Sequence, residues 1–462
     1  MSERHRRPYD NVLETIGWTP LIRLHRVTRD VRTPIYGKAE FFNPAGSVKD
    51  RIGIAIIEDA ERRGVLEPGG VIVEGTSGNT GLGLALAAAI KGYKCIFTMP
   101  DKMSAEKVRL LRAFGAEVIV TPTAVPPDHP ENYVMKAKAI AQRTPNAVLA
   151  DQFSNPVNPE AHYRTTGPEL WEQTEGRITH LIGGAGTGGT LSGAGRYLKE
   201  QNPDLQVVVA EPDGSVYAAY ARSGQVGEGH PYKVEGIGGD KIPETLHYDV
   251  VDRFETVSDR EAFQMARRIT REEGLFVGGS TGLIVTAALR VAREVDDPDA
   301  LIVAILCDTG ERYLSKVFND EWLRENQLTD EERVAARDLL RGKPTDAPAL
   351  VTVAPAQTVR QALNLMETYD VSQLPVIEHG GCVGAVAEGG LMARAIAQPS
   401  LLERPVKEIM EAAYPIVDAD APLEGLSEFL SRESPAVLVR DGGALVGIVT
   451  RYDVLHRLAG IR

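Results

Sequence analysis

From residue 71 to residue 100 the chain sets an apolar run, VIVEG, before a small polar loop, TSGNTG, then a bland stretch, LGLALAAAIKG, and a second apolar run, YKCIFTMP. That order predicts strand, loop, helix and strand. It returns over 179–212 as THLIGG, AGTGG, TLSGAGRYLKEQ and LQVVVAEP, and further apolar runs stand at 116–122 (AEVIVTP) and 300–308 (ALIVAILCD). Strands alternating with helices argue for an α/β fold whose sheet is mostly parallel and covered on both faces.

Near residue 326 the pattern changes to a charged segment, NQLTDEERVAARDLLRGKPTDAP, in which Thr329 and Glu332 have capping-box spacing. Residues 327–345 therefore read as a helical linker after a large first domain, 1–326. Two similar stretches follow, 346–400 and 404–462, each an apolar strand, an amphipathic helix and two strands joined by a glycine turn. Matching GGCVGAV with GGALVGIV sets the copies roughly sixty residues apart, a paired module of α+β type.

Composition narrows the function. At 462 residues, with 43% hydrophobic and 25% charged, the chain exceeds one core and is ordinary globular material. Its net charge of -13 supplies no positive field for nucleic acid or anionic lipid, which leaves small-molecule chemistry. The start, MSERHRRPYD, lacks an apolar leader, and GLGLALAAAI is too short to span a bilayer, so a cytoplasmic address is expected. Cys95, Cys307 and Cys382 lie far apart, without the spacing of a disulfide framework or a zinc site, and read as inert core thiols. No metal is expected.

Three local patterns carry chemistry. Gly184, Gly186 and Gly189 fit G-x-G-x-x-G after a strand and before a helix, and Glu211 ends the next strand about twenty residues on, as NAD binding requires. Thr187 and Thr190 add hydroxyls to that loop, which suits a terminal phosphate monoester equally well. The TSGNTG loop, 76–81, also opens a helix and offers hydroxyls and N–H groups to a carboxylate. Lys49, in FFNPAGSVKDRIG, is either a surface cation at a helix start or a reactive amine. Phosphate, carboxylate and amine together suggest pyridoxal phosphate acting on an amino acid, since its aldehyde needs a lysine to hold it as a Schiff base.

GSVKDR, TSGNTG and GTGGT, in that order, resemble the fold-type II pyridoxal-phosphate enzymes of the cysteine synthase and cystathionine β-synthase family. The likeness runs from about 10 to 325 through IGWTPLIRL, QFSNPVNPEAHYRTTGPELW, EGIGGDKIP and GLFVGGSTG, and the tail resembles a pair of CBS domains. It implies two open twisted sheets with helices on both faces. It makes Lys49 the lysine that holds the cofactor and serves as the Cα base, Asn79 the contact to the phenolic oxygen, and Gly186, Thr187, Gly188, Gly189 and Thr190 the phosphate cradle. Ser280 would stand near the pyridine nitrogen, where a hydroxyl, unlike an aspartate, does not protonate it. Thr76, Ser77, Gly78, Thr80, Gln152 and Gly236 would hold the substrate.

The implied reaction is β-replacement, joining L-serine to homocysteine as L-cystathionine, with Lys49 also the acid that helps hydroxide leave. Cysteine synthase, joining sulfide to O-acetylserine, is the near rival; an NAD-dependent oxidoreductase and a ligand sensor with a silent catalytic half are the distant ones. Gly239, where cystathionine β-synthases often carry a larger side chain, and Lys241, in place of an aromatic, put the thiol in question. Gly75 replaces the usual proline before TSGNTG and is expected only to loosen the turn. No haem is expected, since the segment before Asn11 does not resemble a haem-binding extension. Thr450 and Asp453 match the Thr-x-x-Asp that CBS domains use for adenosine, whereas GAVAEGGLM lacks both groups, so one half-site for S-adenosylmethionine or an adenine nucleotide is expected beside the plain alternative of a helix cap. The family implies a homodimer or homotetramer.

Overall fold

The structure, a computed structural model, describes residues 8–458 apart from 77, 102, 104, 127, 330–334, 342–347, 349, 427, 432 and 433. The chain divides into two compact units, Met1–Thr329 and Asp330–Arg462.

Among the described residues the first unit has ten strands: β1 (Leu21–Arg23), β2 (Ile35–Ala39), β3 (Val71–Gly75), β4 (Lys94–Pro100), β5 (Glu117–Thr121), β6 (Ala147–Leu149), β7 (His180–Gly184), β8 (Gln206–Pro212), β9 (Arg253–Val257) and β10 (Ile302–Leu306). They form two sheets, ordered β1-β2-β10-β7-β8-β9 and β5-β4-β3-β6. All pairings are parallel except β1 with β2. The unbroken apolar run IVAIL is β10, every residue of it buried, as expected of a strand with helices on both faces. The bland stretch after TSGNTG is the helix Asn79–Lys91, buried from Thr80 through Ala88.

Two glycines let that helix meet the helix Lys49–Arg62. A Cβ on Gly53 would lie 2.3 Å from the Gly83 carbonyl carbon, and one on Gly83 would lie 2.5 Å from the Lys49 carbonyl oxygen. Only backbone against backbone fits there, and this close crossing brings the start of each helix to the carboxyl ends of the strands, where open α/β sheets bind ligands.

In the second unit, β11 (Gln373–Glu378) and β12 (Gly381–Ala387) form a hairpin turned at Gly380, with Val353 bridged in parallel to Val376. The helix Val359–Tyr369 starts in a full capping box of Thr358 and Gln361. The second copy repeats the plan as β13 (Ile416–Asp418), β14 (Ala436–Asp441) and β15 (Ala444–Thr450), with Gly442 and Gly443 at the turn. Its helix is Leu423–Leu426, four residues against eleven in the first copy. Part of the expected linker is core: the helix Ala336–Arg341 buries Ala336 and Leu339 against Val417, Val437 and Val449. Glu332 of the expected capping box lies outside the described residues. No helix among the described residues is long and apolar enough to cross a membrane.

Candidate active site

Lys49 is the first residue of its helix, and the preceding turn fixes where its amine goes. The Val48 N–H donates to the Cys307 carbonyl (2.9 Å), and Ser47 bridges Asp308, so this strand of loop is laid along the end of β10. Asp50 accepts the Ala45 N–H (2.6 Å) and closes the turn from within; its burial raises the carboxyl to about 7. Desolvation likewise lowers the Lys49 pKa, against smaller opposing effects of Cys307, Asp308 and Glu40. Among the described residues its amine has neither a hydrogen bond nor an ion pair. Lys49 is thus a desolvated amine and not a surface cation.

The helix is anchored by buried charge. Arg51 bonds Glu40 at 2.7 and 2.9 Å and Glu169 through two 2.7 Å contacts, while Lys38 bonds Glu169 (2.7 Å) and the Thr19 carbonyl (2.9 Å). Arg51 thereby holds both carboxylates, and Glu40 is kept down at about 2 although burial alone would raise it.

Asn79, at the start of its helix, donates to Asp308 Oδ2 (2.7 Å) and accepts from Arg312, whose guanidinium also bonds the Ala45 carbonyl. Tyr313 donates to the same Asp308 oxygen (2.7 Å). The other Asp308 oxygen is buried with no partner among the described residues. Thr76 Oγ1 accepts the N–H groups of Gly78 (3.1 Å) and Gly81 (3.3 Å), so this hydroxyl shapes its own loop. Thr80 donates to Gln152 Oε1 (2.5 Å), and Ser77 lies outside the described residues. Beneath this pair, buried Glu74 accepts the backbone N–H groups of Asp151 (2.8 Å) and Gln152 (3.4 Å), with its carboxyl pushed up to about 8 by burial. Gly236, in the left-handed region, follows Glu235, which pairs with Lys107 and Lys316.

The loop after β7 fits a phosphate. The helix Gly189–Gln201 starts at a left-handed Gly188, and among the described residues no backbone N–H from Gly186 to Thr190 donates a hydrogen bond. Thr187, Gly188 and Gly189 are nevertheless buried. Buried N–H groups need a partner, and several converging at a helix start make an anion site. Thr187 and Thr190 are held from behind, by Asn158 Nδ2 (3.0 Å) and by His162 (3.1 Å), whose ring burial keeps neutral at a pKa of about 3. Asn158 also donates to the Gln152 carbonyl (2.9 Å), which ties this loop to the Thr80 side. Glu211, the acid expected of a nucleotide site, instead accepts the Ala218 N–H (3.1 Å) at the helix Tyr217–Ser223. One of its oxygens caps that helix and the side chain is buried, which argues against the NAD reading although the second oxygen has no partner among the described residues.

Ser280 is buried near the start of the helix Gly279–Val295, beside the Cys307 thiol, which donates to the Ile305 carbonyl (3.8 Å), while Thr281 Oγ1 accepts the Cys307 N–H (3.0 Å). Cys307 is thus part of the site lining next to Lys49, with a thiol that burial raises to about 12, and not a remote core residue. Cys95 is buried and similarly raised to about 12. In the second unit, Asp453 Oδ2 accepts both the Thr450 N–H (2.7 Å) and its hydroxyl (2.8 Å) where the helix Arg451–Leu458 begins. Asp308, Tyr313, Arg312, Glu74, Asn158 and His162 surround these loops without having been singled out by motif; Asp308 carried a signal as a carboxylate ending an apolar strand run, and Asn158 and His162 stand inside the stretch QFSNPVNPEAHYRTTGPELW.

Residues 12–308 match the family model of the pyridoxal-phosphate dependent enzymes, and 345–395 and 406–460 match that of the CBS domain. The chain is 39% identical to a cystathionine β-synthase of Dictyostelium discoideum over 97% of its own length and 92% of that protein's, and 35% identical to that of Saccharomyces cerevisiae over 99% of each. Among solved structures, an O-acetylserine dependent cystathionine β-synthase from Helicobacter pylori is 37% identical with a TM-score of 0.62, over 67% of this chain and 98% of the other.

Proposed function

The chain belongs to the pyridoxal-phosphate dependent enzymes and, with its tandem CBS domains, to the cystathionine β-synthases; from that premise we propose the parts its own residues play. The enzyme is a pyridoxal-phosphate-dependent lyase that condenses L-serine with L-homocysteine to L-cystathionine and water. When bound, pyridoxal phosphate supplies an electron sink that acidifies the substrate Cα proton and lets a β-substituent depart. The observation that carries the assignment of roles is the run of N–H groups from Gly186 to Thr190 that have no partner among the described residues, on a site that also holds a desolvated lysine with no partner among them.

Gly186, Thr187, Gly188, Gly189 and Thr190 hold the phosphate, and Lys49 holds the cofactor's carbon through its amine. Asn79, fixed by Asp308 and Arg312, faces the phenolic oxygen, and Ser280 faces the ring nitrogen as a hydroxyl that leaves it unprotonated. Thr76, Ser77, Gly78, Thr80, Gln152 and Gly236 bind the amino-acid substrate. Once the substrate's own amine takes its place on the cofactor carbon, the freed Lys49, its pKa lowered by burial, would carry a neutral amine fraction that accepts the Cα proton. The resulting ammonium returns that proton to the departing hydroxyl oxygen, since hydroxide leaves poorly unassisted. In the second unit Thr450 and Asp453 are the adenosyl contacts, for S-adenosylmethionine or an adenine nucleotide. They double as the cap of the helix Arg451–Leu458.

The Helicobacter pylori structure favours one second reading, in which O-acetylserine replaces L-serine as donor and acetate leaves. Product analysis with L-serine plus homocysteine, O-acetylserine plus homocysteine, and O-acetylserine plus sulfide decides it. Cystathionine formed efficiently from L-serine is expected; cysteine as the sole efficient product would overturn the reading.

A further inference from the structure

Glycine at position 239 looked like a sign of thiol choice, but its surroundings give it another cause. Tyr217, among the largest fully buried side chains, opens the helix Tyr217–Ser223 and donates its hydroxyl to the Gly186 carbonyl (2.8 Å). A Cβ on Gly239 would stand 2.4 Å from that hydroxyl oxygen and 3.1 Å from Cζ. Neither side can retreat easily. The Gly239 N–H faces Ser215 Oγ (3.4 Å), and its carbonyl accepts the Val216 N–H (3.1 Å), which clamps the backbone onto the start of the helix.

The same few residues touch the phosphate-binding loop from below. The Gly238 N–H donates to the Ala185 carbonyl (2.7 Å), and a Cβ on Gly186 would lie 2.5 Å from the Gly236 carbonyl oxygen. Residues 236–239 are therefore a thin layer between the loop at 185–188 and the segment at 215–217, with the Tyr217 phenol reaching past Gly239 to the loop. Burial raises the phenol's pKa, which keeps it a donor.

We infer that Tyr217 is a positioning residue that sets the phosphate-binding loop through the Gly186 carbonyl, and that Gly239 is the gap its hydroxyl requires. A larger side chain at 239 and a phenol at 217 exclude one another, so glycine there reports packing, and not a preference for sulfide over homocysteine. The inference rests on the reading of residues 186–190 as the phosphate cradle.

The test is a double-mutant cycle of Y217F and G239A in the full chain, read by pyridoxal phosphate affinity of the apoprotein and by the phosphorus-31 shift of the bound cofactor. Each single change is expected to weaken affinity, Y217F about fivefold for one lost buried hydrogen bond and G239A about tenfold for the clash. Both should move the phosphorus signal. In the Y217F background, where the clashing oxygen is gone, G239A is expected to cost less than about threefold. The ratio of kcat/KM for homocysteine to that for sulfide should stay within about twofold throughout. An unmoved phosphorus signal in Y217F, additive losses in the cycle, or a thiol preference that switches in G239A would overturn the inference. If G239A does not fold, Y217F, which only removes an atom, still decides it. A wild-type protein that takes up no pyridoxal phosphate overturns the cradle reading beneath it instead.

Discussion

A carboxyl group buried without a cation must be protonated or be costly, and Glu74 is in that position under the TSGNTG loop. Its folded pKa of about 8 lies above the ordinary 4.5, so between those values the folded state binds the extra proton. Stability is then greatest at the low end of the window and falls as pH rises through it, the loss being complete above about 8. The shift is large enough for the loss to reach a few kcal/mol. We expect the urea midpoint of the wild type to fall between about pH 6 and about pH 9 and that of E74Q to fall much less; a wild-type-to-variant gap that is constant over this range contradicts the account. Nothing in VIVEG announces this residue, because a glutamate on a strand reads as solvent-facing until the backbone N–H groups of Asp151 and Gln152, more than seventy residues on, are seen to point at it. Lys49 was legible for the opposite reason: its neighbours in sequence, Ser47 and Asp50, are also the groups that build its turn.

Among the elements, the helix Lys49–Arg62 matters most, and its placement depends on Arg51, two residues after Lys49. Removing the guanidinium leaves Glu40 and Glu169 buried without their main partner. R51M is expected to destabilise the first unit by about 3–5 kcal/mol, the usual cost of breaking a buried pair from one side. Glu40, with a folded pKa near 2 against an ordinary 4.5, contributes stability that is present above about 4.5 and lost as pH falls towards 2. The acid limb of the wild-type stability profile should therefore flatten in R51M, and denaturant melts at several pH values would show it; an R51M protein as stable as wild type would contradict the assignment. The strands were readable from their apolar runs because burial on both faces removes the polar alternation. The helix of the second CBS copy was less readable, since Leu423–Leu426 is shorter than its apolar period suggested.

For the whole molecule, the chemistry depends on joining two sheets, and the joints are made between residues far apart in the chain. Asn79 meets Asp308 across 229 positions, and Asn158 spans the gap between Gln152 and Thr187. Such contacts leave no periodicity or spacing to read, which is why the motifs located the loops while the groups behind them emerged only from the fold. N158A should unseat both loops together, raising the KM for L-serine and weakening pyridoxal phosphate binding, each about tenfold, as unpaired buried partners imply. A rise in one without the other would show that the loops are positioned independently.

The most direct test of the central claim is borohydride reduction of the holoenzyme followed by tryptic mapping. Reduction should fix the cofactor on Lys49 and block cleavage there, giving a labelled peptide of residues 39–51. An intact cut after Lys49, with the label elsewhere or absent, would contradict the account.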